Sequence, residues 1–299
     1  MMTASYILPQ VVNGLILGSM YALIAIGFTM IYGIVRLINF AHGDIFAIGA
    51  FTMLASISVL GLPVPVAAVV VIVMGALSGI LIERLAFRPM RGAPQVTGFI
   101  ASLAVAVFLE NLAVMTISAQ PRSFLVPDYM NIPVQLGGLS LRVIDISIVV
   151  MAIVLMVGLV LLVRFTRAGV AMRATAENYD VARLMGININ QTIALAFAIG
   201  SALAAAGGLM WGSKYGQISP GMGLLPGLKA FVAAVIGGVG SIPGAVLGGY
   251  VLGLAEVLFV ALLPPEYSGY RNAFVFGALI VVLLVMPNGL LGRNTETRA

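Results

Sequence analysis

Arg164-Phe165-Thr166-Arg167-Ala168-Gly169-Val170-Ala171-Met172-Arg173-Ala174-Thr175-Ala176-Glu177-Asn178-Tyr179-Asp180-Val181-Ala182-Arg183-Leu184-Met185-Gly186-Ile187-Asn188-Ile189-Asn190-Gln191 is the one stretch of this chain too polar to lie in a membrane, and long apolar runs flank it on both sides. Residues 174–185 are good helix formers, with Val181, Leu184 and Met185 at the i, i+3, i+4 spacing that puts apolar groups on one helix face. Gly186 supplies a natural stop. A short amphipathic helix with an acidic first turn, set in an arginine-rich loop, has the form of a docking element for a cytoplasmic partner. An interfacial helix lying on lipid is the alternative, and basic loops also serve as plain topogenic signals.

The flanking composition agrees. Of 299 residues, 61% are hydrophobic and 8% charged, and the mean hydropathy is +1.14. A soluble chain carries about 25% charged residues, so this is an integral membrane protein. The net charge of +5 does not point to nucleic acid, because the fifteen Lys and Arg are spread singly along loops and form no basic groove. There is no cysteine and one histidine, which excludes disulfides, thiolate metal sites and multi-His metal sites. The N-terminal apolar run is too long for a cleaved leader and lacks its flanks, so Met1 onward reads as mature protein.

A helix needs about 20 apolar residues to span a bilayer. On that template spans fall at residues 8–33, 41–60, 64–82, 97–118, 143–163 and 192–212. The block 228–263 is too long for one span and is broken by Gly237-Gly238-Val239-Gly240-Ser241-Ile242-Pro243-Gly244, so it divides into a short helix and a full span. The last span covers 272–286. The expected fold is therefore all-α, a polytopic transmembrane helix bundle with about nine crossings in a single domain, residues 1–299. One side collects Arg36, Arg84, Arg88, Arg91, Arg164, Arg167, Arg173, Arg183, Arg293 and Arg298; the other holds Arg122, Arg142, Lys214 and Arg271. The basic side is cytoplasmic by the positive-inside rule, which places the N-terminus outside and the C-terminus inside. Lys229 stands near a span end and is left unassigned. The Pro- and Gly-rich stretch 119–142 and the loop 214–227 are external, and Trp211 fits the outer interface.

Several residues stand out inside the spans. Gly14 and Gly18 form a small-xxx-small pair for close helix packing. Asn39, His42 and Asp44 cluster at the cytoplasmic entry to the second span; Asn39 suits a helix cap and Asp44 the positive end of the helix dipole. Glu110 and Glu256 lie within apolar runs and must face the bundle interior or a cavity. With no intramembrane Lys or Arg read beside them, they have either pathway and gating roles or structural hydrogen bonds. Gly240, Gly244 and Gly248 recur every four residues, as do Gly249 and Gly253, so one helix face is nearly bare backbone. No phosphate-binding loop of the Gly-x-x-x-x-Gly-Lys-Ser/Thr form occurs. No catalytic pair is read in any span, so an intramembrane enzyme is the weakest reading.

Taken together, Asn13-Gly14-Leu15 with Gly18-Ser19-Met20-Tyr21-Ala22-Leu23, Ile38-Asn39-Phe40-Ala41-His42-Gly43-Asp44, Glu83-Arg84 with Arg88-Pro89, Ala176-Glu177 with Leu184-Met185-Gly186-Ile187-Asn188, the glycine run 237–244, and Met286-Pro287-Asn288-Gly289-Leu290-Leu291-Gly292 resemble the inner-membrane permeases of branched-chain amino acid ABC importers. The resemblance implies a permease for branched-chain or other hydrophobic L-amino acids. It implies as partners a second, related permease, two ATPase subunits that hold ATP and Mg, and a soluble external binding protein. This chain itself would carry no cofactor. Glu177, Val181, Arg183, Leu184, Met185 and Gly186 would form the loop that seats on an ATPase, without the Glu-Ala-Ala-x-x-x-Gly run of many such importers. Urea and amide importers share the branch. A proton-coupled secondary transporter using Glu110 or Glu256 is the rival from another class.

Overall fold

A computed structural model describes residues 4–124, 126–136 and 139–292. Arg293 and Arg298 of the charge count, and Gly137 and Gly138 of the external loop, lie outside the described residues. The helices are α1 (Ala4–Val35), α2 (His42–Ser58), α3 (Val64–Ile82), α4 (Gln95–Thr116), α5 (Val143–Phe165), α6 (Arg167–Glu177), α7 (Tyr179–Leu184), α8 (Ile189–Tyr215), α9 (Leu224–Gly237), α10 (Ile242–Leu262) and α11 (Arg271–Val285). Eight helical segments are long and apolar enough to cross a membrane, and α2, with 17 residues, falls just short. Every span read from hydropathy coincides with one helix, because uninterrupted apolar runs of that length have few other ways to satisfy their backbone. The turn-rich loop contains more order than its composition indicates. β1 (Arg122–Ser123) pairs with β4 (Gln217–Ile218), and β2 (Pro133–Leu136) pairs with β3 (Leu139–Arg142), both antiparallel.

Helix α1 is the axis and is buried along most of its length. Its glycines explain how it can be. A Cβ on Gly18 would lie 2.9 Å from the Tyr250 backbone, and one on Gly253 would lie 2.3 Å from the Gly18 nitrogen, so α1 and α10 touch backbone to backbone. Helix α8 is a second axis: Gly49 of α2 and Gly75 of α3 both pack on Ala205. By contrast α4 and α11 leave many large apolar side chains exposed, including Phe108, Met115, Ile280 and Leu284, as helices facing lipid or another subunit would.

Three expectations need correction. Asn39 does not cap α2: the cap position is Ala41, with no side-chain bond, and the buried Asn39 carboxamide has no hydrogen-bond partner among the described residues. The Asn39–His42–Asp44 cluster does lead into α2, with Asp44 in its first turn, but it is buried inside the bundle rather than at one of its faces. The chain reverses at Arg36 with φ 55 and runs back along α1 until His42 Nε2 stands 2.9 Å from where a Gly27 Cβ would be. Gly27 is about 12 Å of helix rise inside the end of α1. Helix α2 therefore starts at depth, which is why it is short, and its irregular lead-in is tolerated because protein surrounds it. Gly240 belongs to no helix face; it is a loop residue with φ 88 and open space beside it. Trp211, four residues before the end of α8, packs edge-on against Phe46, with ring centroids 5.8 Å apart.

Gly244 and Gly248 do make the close contact expected of them, but with α9. A Cβ on Gly248 would lie 2.0 Å from the Ala233 carbonyl oxygen and one on Gly244 2.3 Å from that of Gly237. Gly248→Leu should therefore destabilise the protein by about 1 to 3 kcal/mol or more through overpacking. Gly158→Leu, where nothing lies within 4 Å, should leave stability near wild type. Thermal melting of both variants in detergent measures the difference.

Candidate functional site

The bundle has two chemically distinct ends. At one, Arg91 donates to Glu83 and Asn190, Tyr179 donates to the Ile34 carbonyl, and the Leu290 and Leu291 amides donate to Ile236 and Gly237 at 2.8 and 2.9 Å. At the other, Asp145 accepts from Lys214 at 2.5 Å and Arg142 at 3.3 Å, and Tyr6 donates to the Ala261 carbonyl at 3.2 Å. These contacts gather residues 34, 83–91, 179–190 and 290–291 on one end and residues 6, 142–145, 214 and 261 on the other. The grouping is the one the loop charges produced.

The polar stretch 164–191 is not one continuous helix. Thr166 caps α6, accepting from the Gly169 amide at 3.1 Å. Asn178 then breaks the run and caps α7, its side chain accepting from the Asp180 and Val181 amides at 2.9 and 3.1 Å. The helix read over 174–185 is thus two helices meeting at Asn178, because an Asn side chain competes for the backbone amides that would have continued the helix. Gly186, with φ 79, ends α7 as expected. Ala182 faces inward at 2% exposure, while Val181, Leu184 and Met185 are 55%, 86% and 78% exposed. Glu177 and Arg183 are exposed as well. Burial pushes the Tyr179 hydroxyl above its ordinary pKa, against the pull of Arg91 and Arg36, so it remains a donor to α1 throughout the physiological range. The structure therefore holds α7 firmly by one face and presents an apolar surface on the other.

Glu256 overturns the reading that no Lys or Arg inside the bundle stands beside the two acids. It is 1% exposed, accepts from Lys229 Nζ at 2.6 Å and Tyr21 Oη at 2.9 Å, and forms an ion pair with Arg271 Nε at 3.1 Å. The Lys229 ammonium also lies 5.9 Å from the Tyr21 ring centroid. Lys229, left aside because it is near a span end, faces inward from α9 and is itself buried. The signal available in sequence was only that a lone Lys in an apolar helix needs a partner. Glu110 has no such partner among the described residues: with Asp44, Phe51 and Pro220 it lines a cavity of about 270 Å³ between α2 and α4. The ring of His42 is buried and edge-on to Phe28, with centroids 6.2 Å apart. A larger cavity of about 700 Å³ at the α7 end brings Glu177 and Gly240 together with Thr29 and Arg173. Among the described residues no group of three or more His, Asp or Glu is placed to hold a metal ion.

These features define a polytopic membrane helix bundle with a buried ion network and an exposed, capped polar loop. The chain belongs to the family described as branched-chain amino acid transport system, permease component, whose profile matches residues 10–284. It is 41% identical to the high-affinity branched-chain amino acid transport system permease protein LivH of Escherichia coli over 301 residues, covering 96% of each chain. It is 41% identical to the BraD permease of Pseudomonas aeruginosa, again over 96% of each chain, and 31% identical to a probable LivH of Methanocaldococcus jannaschii over 94% of this chain and 91% of that one. No solved structure matches. The protein is a multi-pass inner-membrane permease subunit.

Removing one member of the Glu256 network should be costly, since breaking a buried ion pair on one side leaves an uncompensated charge and typically costs about 3 to 5 kcal/mol. Glu256→Gln should lower the melting temperature in detergent markedly, and adding Lys229→Met to it should recover part of the loss. With Lys229→Met alone completing the cycle, losses that simply add in the double variant would show that the pair carries no coupling.

Proposed function

We propose that this chain is the permease subunit of an ATP-driven ABC importer that forms part of the membrane pathway for branched-chain or other hydrophobic L-amino acids. Family membership and the LivH and BraD relatives support the substrate class. The observation that carries the coupling role is the exposed Val181–Leu184–Met185 face on a helix otherwise fixed by its Asn178 cap and by the Tyr179 bond to α1. An apolar i, i+3, i+4 face of that size suits a groove in a soluble protein. Two ATPase subunits would supply ATP and Mg, a second permease would complete the pathway, and an external binding protein would deliver substrate. Motion of an ATPase would reach the bundle core through Tyr179, since α1 is the axis on which α8 and α10 pack. The N-terminus would be outside and the C-terminus cytoplasmic, with α2 counted as a ninth crossing. The Glu256 carboxylate is committed to Lys229, Arg271 and Tyr21, which supports a structural place for it in the bundle rather than a carrier role.

The coupling role predicts that Leu184→Asp releases the ATPase or uncouples hydrolysis from uptake, while the bundle still folds, because a buried carboxylate without a partner is costly. ATPase co-purification and substrate-stimulated hydrolysis in the reconstituted complex measure it; wild-type values for both would reduce the loop to a topogenic linker. Orientation is tested separately in this cysteine-free chain. Cys placed at Gly186 should react with an impermeant thiol reagent only from the cytoplasmic side, and Cys at Gln217 only from outside.

A further inference from the structure

The end of the bundle opposite α7 contains a cavity of about 320 Å³ between the first turns of α1, the last turn of α8, the end of α10 and the start of α11. Its lining divides by chemistry. Ile16, Leu17, Met20, Val257 and Val260 form an apolar wall, and Arg271, Lys214, Gln10 and Asn13 stand around a polar end. Glu256 also borders it, but its oxygens are already taken by Lys229, Arg271 and Tyr21. Arg271 approaches that carboxylate most closely through Nε, at 3.1 Å, and its two terminal nitrogens donate no hydrogen bond among the described residues. The side chain is half exposed. The charges nearby do not cancel: Lys229 and Arg271 face one carboxylate, and Lys214 and Arg142 face another, Asp145. Each cluster keeps one positive charge in excess. Arg271 also opens α11, whose first turn holds no acidic residue and receives no side-chain cap, so the positive end of the helix adds to the same field.

Resting on the importer reading above, we propose that this cavity is an outer binding site for an apolar α-amino acid, with the free end of the Arg271 guanidinium taking the α-carboxylate and the Ile16–Met20–Val257 wall taking the side chain. A planar guanidinium with two free donors is the group best matched to a carboxylate fork. The carboxamides of Gln10 and Asn13, which make no hydrogen bond among the described residues, supply oxygens for the α-ammonium. Ligand sites generally combine a predominantly apolar lining with a few placed polar groups in about 300 to 1,000 Å³, and this cavity stands at the lower end of that range, as a small ligand requires. The site excludes a bare amine, which would meet excess positive charge and leave Arg271 unanswered. Its position at the end from which substrate would arrive makes it the first intramembrane station after delivery.

The test uses the full chain in its complex, in nanodiscs of phosphatidylcholine, with Ala261→Cys as a reporter at the cavity rim in the cysteine-free background. Alkylation of that Cys is timed with and without L-leucine, with 4-methylpentanoate (leucine lacking its ammonium) and with 3-methylbutylamine (leucine lacking its carboxylate). At leucine about ten times its Kd, alkylation should slow about ten-fold by occupancy. The acid should protect at higher concentration and the amine should not protect. Arg271→Gln should abolish protection by leucine, and Arg271→Lys, which keeps the charge but loses the fork, should retain a weakened form of it. Absence of leucine protection, equal protection by the amine, or unchanged protection in Arg271→Gln each overturns the site. So does protection that appears only when phosphatidylglycerol is added, which would assign Arg271 to a lipid headgroup. ATP-driven leucine uptake by the same preparation reports on the importer reading separately: uptake without protection removes the site and leaves that reading standing.

Discussion

Backbone contact between α1 and α10 is the constraint on which the rest of the bundle depends. Lipid tails are as apolar as Leu, so burial from water gives helices no reason to associate inside a membrane, and close packing must supply the attraction. Glycine is what permits it. Gly14 and Gly18 on α1 meet Leu254 and Tyr250, while Gly249 and Gly253 on α10 meet Ala22 and Gly18. Helix α8 then closes the other side of α1 through Gly27 against the Gly200 carbonyl, and α2 and α3 pack on α8 in turn. A stack of small residues thus fixes the positions of five helices, leaving α4 and α11 at the periphery.

Charge placement follows from the same economy. Each ionised group inside the bundle is expensive unless paired and hydrogen-bonded, and the Glu256 carboxylate meets that condition with Lys229, Arg271 and Tyr21. Tyr21 lies on α1, and so does Ile34, whose carbonyl accepts the hydroxyl of Tyr179. One helix therefore touches both the ion network at one end and the polar loop at the other. In the proposed importer this helix would join the ATPase-facing loop to the ion network. The Asn39 carboxamide and the cavity that Asp44 and Glu110 both line lie where α2 and the turn before α9 meet at Gly43 and Gly223.

Much of this was legible in sequence. Each span announced itself by hydropathy, because a membrane helix must be apolar over its own length and that requirement is local. Gly14 and Gly18, and Gly244 and Gly248, were readable as packing surfaces from their four-residue spacing, although the partner helix was not. The stop at Gly186 was readable because a left-handed backbone position favours a residue without a Cβ. What escaped reading was non-local or competitive. Asn178 could continue a helix or cap a new one, and only the environment of α7 selects the cap. Asn39 had every property of a cap, yet the reversal at Arg36 carries it past the position where capping would occur.

The sequence by itself determined the solvent, the number and limits of the apolar helices, the grouping of basic loops on one side, and, through motifs that run the length of the chain, the family. Those features depend on residues that are neighbours along the chain. Tertiary structure alone decided that Lys229 and Arg271 share Glu256, that α2 starts deep beside Gly27, and that Arg271 and Lys214 converge on one apolar cavity. These partners come from different helices, and no periodicity along a single helix encodes which face another will bring. The balance of close backbone packing against the cost of burying each charge chooses the partners, and that balance exists only once the helices are assembled.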